Sequence, residues 1–174
     1  MRRAFIICGP PSSGNRLVGA ILVRAGCWGE GSTNQPKSVS DIPMDAKDVV
    51  WIHPHPDCWN TLISDLHGVG FDKIIFIVVI REPEANCRSM VKSGFYKEIQ
   101  QAYTERTAHL CNILNIAVVN ACEIEIITYE GLSTQMLKLW LPRLGLPADN
   151  LDQPLNLVGQ LAPDFISNKN VKHY

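Results

Sequence analysis

The chain has 174 residues, 46% hydrophobic and 19% charged, with 16 basic against 17 acidic side chains for a net charge of −1. That length fits a single domain over residues 1–174 with one sizeable core, and the even charge balance argues against a nucleic-acid partner bound through a basic face. The longest apolar run, Ile74–Ile80, falls far short of the roughly 18 residues a membrane span needs, and Ala4–Cys8 is too short for a signal-peptide core; a soluble, cytoplasmic protein with no membrane partner is expected.

Ala4–Cys8 predicts a buried strand, stopped by Gly9-Pro10-Pro11. From Gly14 the period changes: Leu17, Val18, Ile21 and Leu22 recur as on a helix that ends at Gly26. Residues Gly29 to Asp48 are rich in Gly, Ser, Asn and Pro and predict a long loop. Val49–Ile52 is a second buried strand, closed by His53-Pro54-His55-Pro56. Trp59, Leu62, Ile63 and Leu66 have helical spacing. Lys73–Ile80 is the most apolar stretch and predicts a central strand. Helices follow over Glu84–Lys92 and roughly Tyr96–Ala121, the latter with Leu110, Ile113, Leu114 and Val118 on one face. Glu123–Thr128 is a fourth strand, and Leu132–Leu144 a last helix before Gly145.

Strands alternate with helices, and each strand is an apolar run without in/out alternation. This pattern predicts a three-layer α/β/α fold around a mostly parallel sheet. Ligands in such folds bind beyond the carboxyl ends of the strands, which directs attention to the residues after Cys8, Ile52, Ile80 and Thr128. The six cysteines are scattered with no C-x-x-C pair, so reduced thiols and no metal site are expected.

Gly9-Pro10-Pro11-Ser12-Ser13-Gly14 lies between a strand and a helix, the setting of a phosphate-binding loop. Its glycines let backbone N–H groups converge on an anion, and Ser12 and Ser13 offer hydroxyls. The spacing matches the first six positions of G-x-x-x-x-G-K-S/T, but Asn15 and Arg16 stand where the lysine and the magnesium-binding hydroxyl belong. A small kinase would lack both electrostatic parts that phosphoryl transfer uses. A second anion site is expected after the third strand, where Arg81 is followed by Pro83 and, eight residues on, Ser89; Arg88 is an alternative.

The segment Ile77–Ser89 resembles the 3′-phosphate-binding motif of sulfotransferases, with Arg after a strand, Pro two residues later and Ser eight residues after the Arg. Pro11-Ser12-Ser13-Gly14-Asn15-Arg16 is similar to the family's 5′-phosphosulfate loop, and Thr128-Tyr129-Glu130-Gly131-Leu132 to its Tyr-Glu-Asp-Leu segment. The three occur in the family's order over about three-quarters of the chain. The resemblance implies a P-loop sulfotransferase-like domain that uses 3′-phosphoadenosine 5′-phosphosulfate (PAPS) as donor and releases adenosine 3′,5′-bisphosphate (PAP), without metal. It assigns Gly9, Pro11, Ser12, Ser13, Gly14, Asn15 and Arg16 to the 5′-phosphosulfate, Arg81 and Ser89 to the 3′-phosphate, and Tyr129 to the neighbourhood of the adenine.

This chain departs from the family in the loop: Ser12 replaces a Lys or Arg, Asn15 a Thr and Arg16 a hydroxyl residue. It also lacks an evident C-terminal glycine- and basic-rich nucleotide loop. Arg16, or Lys37 less directly, is the cation that would face the charge developing on the leaving phosphate. His53 is the candidate general base, because its ordinary pKa near 6.5 suits proton removal from a hydroxyl or amine; His55, Asp57 and Glu30 are alternatives. The acceptor is expected to be a small molecule or glycan in a pocket shaped by Gly29–Asp48 and Phe95–Arg106, whose residues do not distinguish sugar, phenol, peptide or lipid. A non-catalytic nucleotide- or anion-binding protein of the same fold is the competing reading.

Overall fold

The computed structural model describes residues 1–29, 38–52 and 59–149. Its elements in chain order are β1 (Arg3–Cys8), α1 (Asn15–Arg24), β2 (Trp28–Gly29), β3 (Asp48–Ile52), α2 (Trp59–Gly68), β4 (Lys73–Ile80), α3 (Pro83–Lys92), α4 (Ile99–Val119), β5 (Glu123–Thr128) and α5 (Thr134–Arg143). Short 3-10 turns lie at Val39–Asp41 and Tyr129–Gly131. The chain divides into two compact units, Met1–Leu132 and Ser133–Tyr174. The second begins with α5, capped by the Ser133 side chain and burying Leu137, Trp140 and Leu141.

The first unit is an α/β structure around a five-stranded sheet of order β2-β3-β1-β4-β5. Every pair is parallel: Phe5 pairs with Val50 on one side and Ile75 on the other, and Val78 with Ile126. Side chains alternate between the two faces of each strand. On one face Ala4, Ile6, Cys8, Val49, Trp51, Ile74, Phe76 and Val78 pack against Trp59, Leu62, Ile63 and Leu66 of α2 and Ile113 and Ala117 of α4. On the other face Phe5, Ile7, Val50, Ile75, Ile77 and Val79 are buried, and α1 packs over β1 and β3. Because both faces are covered, the central strands read as unbroken apolar runs.

Connectivity creates a crevice. The connection from β1 runs through α1 to β2, beyond β3; the connection from β4 runs through α3 and α4 to β5, at the opposite edge. At the neighbouring strands β1 and β4 the chain therefore leaves in opposite directions, and in folds of this kind the carboxyl ends of such strands are where a ligand crevice forms.

The structure departs from the sequence expectations in three places. The edge strand β5, expected as a buried apolar run like the others, is largely exposed, with Ile127 its buried residue and Ile126 facing solvent. The stretch expected as loop from Gly29 is preceded and entered by β2, a two-residue edge strand paired with Val49 and Val50. Its Gly29 lies so close to β3 that a Cβ there would collide with the Val50 carbonyl oxygen. On α4 the buried residues are Ala102, Ile113 and Ala117, with Leu110 half-buried, whereas the expected Leu114 and Val118 are exposed. The described cysteines are free thiols, with Cys8, Cys27 and Cys87 buried, Cys122 half-buried and Cys111 exposed. Among the described residues no helix is long and apolar enough to cross a membrane.

Candidate functional site

The loop from Gly9 to Gly14 leaves β1 at the crevice. Gly9 is required by crowding: a Cβ there would collide with the Val79 carbonyl oxygen and lie 2.7 Å from Ser13 Oγ and 2.8 Å from Asn15 Oδ1. Ser12 adopts a left-handed conformation with φ of 61°, and Gly14 follows at φ of 102°. A left-handed serine costs about 1–3 kcal/mol and persists only when its surroundings hold it. Such turns also aim successive N–H groups into one concavity.

Several contacts hold this loop. The Ser13 hydroxyl donates to Asn15 Oδ1 at 3.2 Å, and Asn15 Nδ2 donates to the Gly9 carbonyl at 3.0 Å, closing the loop from inside. Ser13 is fully buried and its N–H donates to the Pro10 carbonyl at 3.2 Å. The Ser13 hydroxyl, expected as an extra donor to the ligand, and the Asn15 side chain are thus used on the loop itself, which leaves the loop backbone for the role the resemblance assigns it. Pro11 and Ser12 are half-buried at the turn. Gly14 is the N-cap of α1 and makes no side-chain capping bond, and the first turn has no acidic residue. The helix dipole therefore points its positive end at the loop, with no acidic side chain to neutralise it. Arg16, the second residue of that helix, is exposed.

The end of β4 reaches the same loop. Arg81 Nη1 donates to the Ser12 carbonyl at 3.3 Å, and Asn86 Nδ2, from α3, donates to the Pro11 carbonyl at 2.8 Å. Asn86 is fully buried. Ser89 lies one turn beyond Asn86 on the same helix face, half-buried. Arg88 instead forks onto Glu84, with Nε at 2.9 Å and Nη2 at 2.6 Å from Oε1, on the exposed side of α3. Of the two arginines weighed from sequence for this position, Arg81 is the one that reaches the loop.

Tyr129, just beyond β5, completes the cluster. The Arg81 guanidinium sits over its ring at 4.8 Å from the centroid, a cation–π contact. A Cβ on Gly14 would come within 2.5 Å of the Tyr129 Cδ2 atom, so the ring lies flush against the loop. Tyr129 is therefore wedged between loop and guanidinium.

Four further groups, missed by reading motifs, shape the electrostatics. Arg106 of α4 donates from Nη2 to the Arg81 carbonyl at 3.1 Å. Glu130 Oε1 stands 3.7 Å from Arg81 Nε and accepts from the Glu82 N–H at 3.0 Å. The Glu82 carboxylate caps α3, accepting from the N–H groups of Glu84 at 3.0 Å and Ala85 at 2.6 Å. Those bonds hold the Glu82 carboxyl below its usual range. The start of α3 is thus capped by a carboxylate, while α1 has a glycine N-cap and no acidic residue in its first turn. Asn86 is the fourth, and a signal for it and for Arg106 existed: Asn86 adjoins the buried Cys87 and Met90, and Arg106 falls on the stripe of Ala102, Leu110 and Ile113.

The candidate bases His53, His55 and Asp57, and Glu30 and Lys37, lie outside the described residues. Of the other described histidines, His67 bonds the Phe71 carbonyl through Nδ1 at 2.9 Å and His109 packs edge-on to Trp59. Compared with known proteins, the chain matches no family model and no curated sequence.

Proposed function

We propose that the chain binds PAPS across the β1/β4 crevice and transfers its sulfuryl group to a hydroxyl or amine of a small-molecule or glycan acceptor, as a divergent P-loop sulfotransferase. One observation carries the reading: the Arg81 guanidinium and the glycine loop, each suited to an anion, meet at adjacent strand ends through the Arg81–Ser12 bond. A ligand with phosphates at two positions of one ribose needs two such holds side by side. In this reading the N–H groups at the start of α1 take the 5′-phosphosulfate, and Arg81 with Ser89 takes the 3′-phosphate.

The chemistry asks for three things. The sulfur–oxygen bond to the leaving phosphate breaks as a bond to the acceptor oxygen or nitrogen forms. The acceptor proton goes to a base, for which His53, next in sequence after β3, is the candidate. Negative charge builds on the leaving phosphate oxygen, and the cation assigned to it is Arg16, because Asn15 holds the position of the usual loop lysine. Arg16 at the position of the magnesium-binding hydroxyl also disfavours nucleoside-triphosphate chemistry.

A second reading, a binding protein without transfer, is favoured by the Asn15 side chain being tied to the Gly9 carbonyl. Labelled-sulfate transfer from PAPS to an acceptor panel separates the two. The transferase reading expects turnover that falls about 10²–10³-fold in Arg16→Ala, with PAP affinity also reduced because PAP carries the full charge on the same phosphate. PAP binding with no transfer to any acceptor supports the binding protein.

A further inference from the structure

The position of one carboxylate oxygen extends the proposed donor site. Glu130 Oε1 is approached by two donors at once, the Glu82 N–H at 3.0 Å and Arg81 Nε at 3.7 Å. The first is a good hydrogen bond and the second is too long to be one. Arg81 Nε is buried and makes no hydrogen bond, although a negatively charged oxygen lies nearby. The pair of donors is therefore an anion seat that the carboxylate fills imperfectly.

We propose that this seat belongs to an oxygen of the ligand's 3′-phosphate, and that Glu130 occupies it only in the absence of ligand. The assignment rests on the reading of the crevice as a PAPS and PAP site. A phosphate oxygen carries more charge than a carboxylate oxygen, is not tethered to β5, and can approach Arg81 Nε at hydrogen-bond distance, where charge-assisted bonds are strongest. The Glu82 N–H thereby becomes a ligand donor, and Glu130 becomes a competitor whose displacement lowers affinity. Glu130 is about half exposed, so it can turn into solvent when displaced, and its hold on Arg81 is that of a surface ion pair. The other carboxylate beside Arg81, that of Glu82, is fixed on the α3 N–H groups and stays in place.

Calorimetric titration without magnesium tests the seat, using PAP and adenosine 5′-monophosphate on the wild type, Glu130→Gln and Arg81→Ala. Gln keeps a carbonyl for the Glu82 N–H and removes only the charge. The expected result is PAP binding about two- to fivefold tighter in Glu130→Gln, with 5′-monophosphate binding unchanged. Glu130→Ala, which vacates the seat altogether, shows the same direction. Unchanged or weaker PAP binding in both variants, with Arg81→Ala still selectively weakening PAP, overturns the competitor role and leaves the donor site standing. No preference of the wild type for PAP over the monophosphate, and no effect of Arg81→Ala on either, overturns the donor site and the seat together.

Discussion

At the scale of single residues, the loop is a strained object held by distant side chains. Gly14 combines a left-handed backbone with the flat contact to Tyr129. Gly14→Ala is expected to lose about 1–3 kcal/mol of stability in urea denaturation and to abolish PAP binding; a variant as stable as the wild type would contradict the contact. Asn86→Ala removes the bond that holds the Pro11 carbonyl from 75 residues away. Its cost is expected at about 1 kcal/mol, the low end for a buried bond, because the Asn86 Oδ1 it also removes is buried without a partner. PAP affinity falls as the loop loosens, and titration of this variant at wild-type affinity would show that the bond does not shape the loop. Arg81 was legible from sequence because it ends the longest apolar run. Glu130 was not: a carboxylate beside an arginine across 49 residues of chain leaves no local pattern, and only the pairing of β4 with β5 brings them together.

At the scale of elements, two helices start at the crevice with opposite electrostatics. The start of α1 carries no acidic residue, whereas α3 is capped by Glu82. Because the native state lowers the Glu82 pKa, the cap stabilises the fold above the unfolded carboxyl value of about 4.3 and is lost as pH falls through the lower native value. The stability difference between wild type and Glu82→Ala is therefore expected to be constant from neutral pH down to about pH 5 and to shrink below about 4.3. A difference that persists unchanged into acid, in denaturant titrations across that range, would contradict the cap. The strands β1, β3 and β4 were legible because burial on both faces forces continuous apolar runs. The two-residue β2 is too short to carry any period, and the sequence of α4 offers two apolar stripes, so periodicity alone does not pick its buried face. Packing on α2 and β4 selects the one containing Ile113 and Ala117.

At the scale of the whole molecule, strand order decides where a ligand can sit. The alternation of strands and helices predicted a parallel sheet, but not the order β2-β3-β1-β4-β5, which places β1 beside β4 and brings the glycine loop to Arg81. That adjacency lies in long-range pairing, which a single sequence does not display. A PAP site without a magnesium ligand predicts thermal stabilisation by PAP in chelator, about 2.7 kcal/mol at 100 times its dissociation constant, with little response to ATP and magnesium. Stabilisation by ATP and magnesium alone would turn the account toward a kinase. The most direct measurement is a crystal structure of the chain with PAP. The account predicts the 5′-phosphate on the N–H groups at the start of α1 and the 3′-phosphate on Arg81, with Glu130 turned away. A nucleotide bound elsewhere, or one whose 3′-phosphate points away from Arg81, would contradict it.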